Sequence, residues 1–414
     1  MANEYAVNQA DLAAVADVIR AKGGTSDALT FPDGFVSAVS AIQTGGGIIP
    51  FVQTKDVNFY DYDGTRVYAY TIEEAQALTE LPAGPTHNGL IFDGWNWSLE
   101  DIKAANTPLT VGAMYITDDG KTRLYITLQE GRTSPMLGVG VNGTVTVDWG
   151  DGTEPDVLTG TNTGTVQWTP THTYAAPGDY MVTLSCEGDI QLSGSSAANE
   201  DSCILRYSSD ADARNAIYQA AVKKVEIGKG CTFSTHVFRQ CIGLTTITFP
   251  NNTLLNKTGS FANCYSLTFF SVPDGTLEIH SNCFLGCNSF ANIAIPNRVK
   301  TISVNSFLNC SSLSSIIIPS SVVSIANTVF SNCRSLSTFK MSAGVTTINA
   351  GLFTNCLGVA YYDFSAYTTV PALANASAFS GIADDCEIRV PAVLYDEWIT
   401  ATNWATYADY IVAV

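Results

Sequence analysis

Positive charge is the first shortage in this chain. Its 414 residues hold 20 Lys and Arg against 38 Asp and Glu, for a formal net charge of −18. No cluster of basic residues stands out, which argues against nucleic acid and anionic membrane as partners. Charge of either sign is thin, at 14% of residues. No stretch of about 20 apolar residues exists to span a bilayer, so membrane insertion is not expected. The start, Met1-Ala2-Asn3-Glu4-Tyr5, has no basic segment and no apolar run behind it, so a secretory signal is not expected. The four histidines are scattered, at positions 87, 172, 236 and 280. No Cys-x-x-Cys pair or Cys/His spacing supports zinc. No Gly-rich phosphate loop follows a strand, and no motif marks a Ser/His/Asp or Cys/His arrangement. A non-enzymatic chain without cofactor is expected.

What the chain does have is a repeat. Phe238, Cys241 and Leu244 recur with a period of 23 as Phe261, Cys264 and Leu267, then as Phe284, Cys287 and Phe290. The series runs on through Phe307, Cys310, Leu313 and Phe330, Cys333, Leu336 to Phe353, Cys356, Val359. A fixed period in the 20s means one short unit stacked on copies of itself. Between these marks lie short β-prone runs closed by proline, such as Ile247-Thr248-Phe249-Pro250, Ile293-Ala294-Ile295-Pro296 and Ile316-Ile317-Ile318-Pro319. Their alternation fits strands with one buried face, and the proline ends each ladder. Two inward residues three apart follow, as in Val299 and Ile302, Val322 and Ile325, or Val345 and Ile348.

This pattern resembles the BspA-type leucine-rich repeat over residues 222–391. The resemblance implies a mostly β fold: a solenoid of 23-residue coils, closed by a C-terminal cap at 392–414. There a strand should lead into a helix with Leu394, Trp398 and Ile399 on one side. Residues 195–221 are expected to be a linker and an N-terminal cap, with a helix from Asp210 to Val222. The 11 cysteines are odd in number, so they cannot all pair internally. The expectation is a ladder of buried free thiols; stacked disulfides are the alternative, since neighbouring strands sit about 4.8 Å apart.

Three smaller units precede the solenoid. Residues 1–42 read as two short helices with apolar faces formed by Leu12, Val15, Ile19, Phe35 and Val39. About 40 residues cannot bury enough surface to stand alone, so this segment is expected to oligomerise or dock on a larger assembly. Residues 10–36 resemble the N-terminal segment of many phage tail proteins; a plain helical oligomerisation tag is the alternative. Residues 43–53, with Gly45-Gly46-Gly47, read as a flexible linker.

Residues 54–109 read as a hairpin turning at Asp63-Gly64, a helix near 72–78 and a strand through Phe92 and Trp95. They resemble the internalin B-repeat, a small β-grasp module. Trp95 and Trp97 are read as core, with ligand stacking as the alternative. Residues 110–194 carry Asp148, Trp149, Asp151 and Gly152, then His172 and Tyr174, and resemble the PKD domain, an immunoglobulin-like sandwich. Asp148 and Asp151 are read as turn-formers, because calcium wants six to eight oxygens.

Outward positions on the repeat strands vary from coil to coil while inward ones repeat. Packing does not dictate them, which leaves them free for recognition. Phe269, Asn292, Ile317, Lys340, Tyr361 and Asp363 are the expected ligand contacts, on a strip facing a host-surface glycan or protein. The whole reads as a tail-associated virion protein that contacts tail or baseplate proteins through its N-terminus, as a homo-oligomer. The alternatives are a BspA-type bacterial surface adhesin and a purely structural virion component.

Overall fold

The computed structural model describes residues 56–169, 171–193, 204–206, 218–255 and 257–414. The chain divides into two units, Met1–Thr54 and Lys55–Val414. The expected attachment residues Leu12, Val15, Ile19, Phe35 and Val39, the Gly-rich linker and most of the expected cap helix lie outside the described residues.

The second unit begins with a small sheet. Its strands are β1 (Val57–Tyr60), β2 (Arg66–Tyr70), β3 (Leu90–Trp95) and β4 (Leu109–Thr117), in the order β2-β1-β4-β3. The β1–β4 pair is parallel and the outer pairs are antiparallel. The hairpin turns at the expected place, where Gly64 takes φ +88° and Asp63 accepts from the Thr65 amide at 2.8 Å. The helix Ile72–Gln76 starts at a capping box, with Thr71 and Glu74 satisfying each other's amides. A second helix, Leu99–Ala104, is capped by Ser98. Phe59, Trp95, Ile102, Val111 and Tyr115 fill the core, as expected for Trp95. The sheet runs to Thr117, beyond the expected 109/110 boundary. Strand β4 supplies its centre, pairing with both β1 and β3.

Next come β5 (Thr122–Leu128), β6 (Met136–Asp148), β7 (Asp156–Trp168), β8 (Gly178–Leu192) and β9 (Leu205–Arg206). Instead of two resolved sheets, β5, β8, β6 and β7 are hydrogen-bonded edge to edge. Mid-strand, Gly143 pairs with Gly188 at φ +113° and +124°, and a Cβ on either would lie 2.1 Å from the opposing backbone oxygen. Only glycine fits at either position. The path does not stop at β5. It continues into β10 (Val222–Glu226) and β12 (Thr246–Thr248), the first two solenoid strands, while β11 (Cys231–Phe233) pairs with β8. Strand β5 therefore closes the first coil, and one apolar core runs through both parts.

The later coils pair in parallel. β13 (Phe269–Ser271) pairs with β15 (Asn292–Ala294), and β14 (Glu278–Ile279), β16 (Thr301–Ile302) and β17 (Ser324–Ile325) form a second ladder. β18 (Thr338–Lys340), β20 (Tyr361–Asp363) and β22 (Glu387–Val390) continue the first face, and β19 (Thr347–Ile348) pairs with β21 (Ala372–Leu373). The expected strand at Ile316-Ile317-Ile318 is not in a ladder, although Ile316 and Ile318 stay buried. That coil is held by its buried side chains and by backbone bonds at its other corners, such as Ser314 N–H to Ala291 O and Ser337 N–H to Ser314 O, and the strand face is split into two sheets there.

Two ladders make the interior and a third sets the corners. Phe238, Phe261, Phe284, Phe307, Phe330, Phe353 and Phe379 stack with centroids 5.4–5.7 Å apart. Each ladder thiol donates to the carbonyl of the phenylalanine in the coil before: Cys264 to Phe238, Cys287 to Phe261, Cys310 to Phe284, Cys333 to Phe307 and Cys356 to Phe330, at 3.0–3.3 Å. All ten described cysteines are thiols outside any disulfide. The third ladder sets the corners. Two residues per coil take left-handed φ, at His236, Gly259, Asn282, Asn305, Thr328, Gly351 and at Gln240, Asn263, Gly286, Asn309, Asn332, Asn355. Asparagine tolerates this region, and its amides link coil to coil, as in Asn332 to Asn309 at 2.8 Å and Asn355 to Asn332 at 2.9 Å.

The far end is capped by β22 and the helix Tyr395–Thr400, with Trp398 and Trp404 fully buried, and by β23 (Ile411–Ala413), which pairs with β22. Leu394 and Ile399 pack on that core as expected.

Candidate recognition face

The strand face of the solenoid carries the six expected ligand contacts, and the small sheet divides them. Strand β4 lies across β12, β13 and β15. Gly112 permits this approach, because a Cβ there would be 2.1 Å from Ser271 Oγ. Asn96 spans two coils, donating Nδ2 to Val272 O and to Ala294 O, both at 2.9 Å, while its Oδ1 accepts from the Gly112 amide. Trp97 Nε1 donates to Ile295 O at 3.0 Å. Trp97 is thus core between two parts of the chain. Farther along the face, the Tyr115 amide donates to Phe249 O at 3.1 Å.

A buried charge cluster ties the same parts together. Glu226, 2% exposed, accepts from Lys224 at 2.8 Å and from the Tyr125 hydroxyl at 2.9 Å, with Arg123 at 3.5 Å. Lys224 also reaches the Tyr62 hydroxyl at 3.4 Å. Burial opposes a charge on Lys224, but the hydrogen bond and charge of Glu226 outweigh it and raise the ammonium pKa. A buried carboxylate is tolerable when paired and hydrogen-bonded in this way.

The consequence for the expected contacts is direct. Phe269 is 4% exposed beneath the Tyr60 ring, with centroids 5.4 Å apart. It packs one part of the chain on another and is not open to a ligand. Thr248, Ser271 and Ala294 are buried beside it. Asn292 is half-buried and turns its Oδ1 back to the Ile293 amide at 2.8 Å. Ile317 is partly buried and lines a recess of about 100 Å³ with Trp97 and Asn297.

Lys340, Tyr361 and Asp363 lie beyond the small sheet, on adjacent open strands. Lys340 is exposed and pairs in register with Asp363. The Asp363 carboxylate accepts from the Ser365 amide at 2.8 Å. The Arg389 guanidinium lies over the Tyr361 ring at 3.7 Å, held from the side by Glu387 at 2.7 Å. Glu387 and Arg389 are register partners of Tyr361 and Asp363, and the sequence reading missed them. The coil before them is stretched, so the 23-residue count does not reach them. Outward residues alternating with buried Ile388 and Val390 are the signal that could have found them.

The carboxylates and histidines of the other units have structural partners. Asp148 accepts from the Gly150 amide, and Asp151 accepts from Thr153 and pairs with His172 Nε2 at 2.9 Å. His172 stacks on Trp149 at 4.8 Å, and the Tyr174 hydroxyl donates to Trp149 O. His87 pairs with Asp61 at 2.7 Å, and the Tyr115 hydroxyl donates to the same carboxylate at 2.8 Å. Among the described residues, no group of three His, Cys, Asp or Glu could hold a metal ion. No helix among them is long and apolar enough to cross a membrane.

Residues 213–259 and 256–381 match the BspA type leucine rich repeat region in 6 copies. The repeats are of the BspA type. No curated protein sequence matches the chain. Among solved structures, the chain is similar in part to a leucine rich repeat protein of T. pallidum. Identity is 20% and the TM-score 0.32, over 47% of this chain and 84% of that one. A leucine-rich repeat protein from Bacteroides ovatus is 16% identical with a TM-score of 0.23, over 46% of this chain and 66% of that one. A leucine rich cell surface protein from Faecalibacterium prausnitzii is 16% identical with a TM-score of 0.21, over 43% and 69%.

Proposed function

We propose that this is a non-enzymatic recognition protein that holds a surface partner on the open half of its strand face, at Lys340, Tyr361, Asp363, Glu387 and Arg389. One observation carries the reading. The first half of the same face already holds a folded β surface, the small sheet of its own chain, through Asn96, Gly112 and Trp97. The open half offers alternating charge and a stacked Arg389–Tyr361 pair, and arginine and tyrosine are the types enriched where proteins make strong contacts.

In this reading the small sheet is an internalin B-repeat-like β-grasp unit and the antiparallel strands are a PKD-like unit, both acting as spacers. Residues 1–42 attach the chain to a phage tail or baseplate as a homo-oligomer, and the protein is carried on the virion. A bacterial surface adhesin is the second reading, favoured by the BspA-type repeats themselves. Mass spectrometry of purified particles separates the two. The triple variant Lys340→Glu, Tyr361→Ala, Asp363→Lys should lose adsorption to host cells with an unchanged melting temperature. Undiminished adsorption would move the partner away from this face.

A further inference from the structure

The second ladder of the solenoid, β14, β16 and β17, is entered in each coil through one outward residue. These residues are Leu277, Lys300 and Val323, and Leu254 holds the same place one coil earlier. They keep the 23-residue period, so they form a row along the solenoid. Leu254 is 58% exposed, Leu277 63% and Val323 54%. Three exposed aliphatic side chains on one row differ from the scattered singles of an ordinary surface.

Backbone bonds set the spacing of the row. The Lys300 amide donates to Leu277 O at 2.8 Å, and the Val323 amide donates to Lys300 O at 3.0 Å. Parallel neighbours bonded in this way sit about 4.8 Å apart. The phenylalanine stack inside repeats at 5.4–5.7 Å. An α-helix laid along the row presents one turn every 5.4 Å or so, within that range. An extended strand presents same-face side chains about 6.6–6.8 Å apart and would lose register by the third coil. The spacing therefore selects a helix.

Two further features say what the helix should carry. Between Leu254 and Leu277 the row opens into a recess of about 280 Å³, lined also by Leu255, Thr276, Glu278 and His280. Thr276 is 4% exposed, and its hydroxyl has no hydrogen-bond partner. A buried hydroxyl left unpaired is costly, and an aromatic anchor with a polar tip offers it a partner. Of the four residues in the row only Lys300 is charged; it is exposed and forms no ion pair among the described residues. The carboxylates that precede and follow Leu277 are engaged elsewhere. Asp274 pairs with Arg298 at 3.1 Å, and Glu278 accepts from the Ser303 hydroxyl with His280 at 3.6 Å.

We propose that this row docks an amphipathic α-helix of a partner protein. A tyrosine enters the recess, and an aliphatic residue one turn on packs against Leu277. A carboxylate in the next turn pairs with Lys300, and a second aliphatic residue packs against Val323. The row occupies a different part of each coil from Lys340 and Tyr361, so the inference stands whether or not the open strand face binds.

The test uses the full chain and a labelled peptide of about 15 residues, held helical by a lactam staple on its far face. It carries tyrosine, leucine, glutamate and leucine at i, i+4, i+7 and i+11, with alanine and glutamine elsewhere. The reversed sequence is run beside it, since the row can be read from either end. One of the two should saturate below about 1 mM by fluorescence anisotropy. Leu277→Ser should weaken binding about tenfold. Thr276→Val should weaken the tyrosine peptide several-fold and spare its phenylalanine counterpart. Lys300→Glu should weaken the glutamate peptide and favour one with lysine in that place, a reversal that misfolding cannot mimic. The Lys340/Tyr361/Asp363 variant should bind unchanged, and thermal melting checks the fold of each variant. The proposal is overturned if neither peptide saturates, or if Leu277→Ser binds as well as the parent. Equal binding of a proline-interrupted peptide of the same composition overturns it too, and would give the row to an extended segment. Oligomers of the full chain that disappear in Leu277→Ser would give the row to a second copy and overturn it likewise.

Discussion

Replacing Gly112 by alanine should prise the small sheet from the solenoid. The backbone there is extended, so alanine strains nothing locally and the substitution tests space alone. The added Cβ would fall 2.1 Å from Ser271 Oγ, 2.6 Å from Ser271 Cβ and 3.0 Å from Ala294 Cβ. Ordinary contact needs well over 3 Å, so β4 must retreat by roughly 1 Å. A retreat of that size stretches the Asn96 bonds to Val272 O and Ala294 O from 2.9 Å, and the Trp97 bond to Ile295 O from 3.0 Å, beyond useful length. Three such bonds are worth about 1 kcal/mol each, and overpacking adds about 1–3 kcal/mol. The docked state should therefore weaken by about 4–6 kcal/mol. Hydrogen exchange would report it as lost protection at residues 96, 112 and 115, with later coils unaffected. Ser271→Gly in the same chain removes both of the closest atoms and should restore most of the protection. Unchanged exchange in Gly112→Ala, or failure of Ser271→Gly to rescue, would refute the argument.

The other expectations are brief. Burial pushes the Cys356 thiol up to about 12 and those of Cys310 and Cys333 well above their ordinary value, so native alkylation at pH 8 should modify half-exposed Cys186 and spare these three. Cys310→Ser should destabilise by about 1–3 kcal/mol in urea titration, because the shorter C–O bond draws the donor away from Phe284 O. Burial resists ionisation of Asp151, but hydrogen bonds from Thr153 and His172 outweigh it and lower its pKa below 3.8. Its stabilising share is then complete above that value and lost as pH falls through the depressed folded pKa. Asp151→Asn should flatten that acid limb of the stability curve, and an unaltered limb would rule the pairing out as its source. A chain beginning at residue 48 should fold normally yet fail to oligomerise, as read by sedimentation; full assembly without residues 1–47 would locate the contacts elsewhere.

The solenoid was readable because its period is written in inward residues. Phe307, Cys310 and Leu313 are each fully buried, and their spacing follows from stacking alone. The Asp63-Gly64 turn and the cap around Trp398 were readable for the same reason, since local conformation or burial dictates them. The site was less legible. Phe269 looks like an outward residue in its own coil, and the distant Tyr60 and Gly64 make it an inward one. Asn96 and Gly112 carry no repeat signal, because their partners are backbone carbonyls and a neighbouring hydroxyl some 160–200 residues away. The joining of β5 to β10 was hidden likewise, since strand patterning marks a buried face and does not name the edge that will pair.

The clamp formed by Asn96 and Trp97 also fixes how this molecule would carry load. Tension entering at Asp56 reaches β1, then the small sheet, and crosses to the carbonyls of Val272, Ala294 and Ile295. The antiparallel strands and the first coil lie in a covalent loop parallel to that route, joined to the small sheet by the lesser ties at Phe249, Asn251 and Lys224. Pulled between its ends, the protein should therefore yield first by release of the clamp, lengthening in one step as the loop is recruited. The coils carrying Lys340, Tyr361 and Arg389 lie beyond the anchorage and would keep their shape until that step has passed.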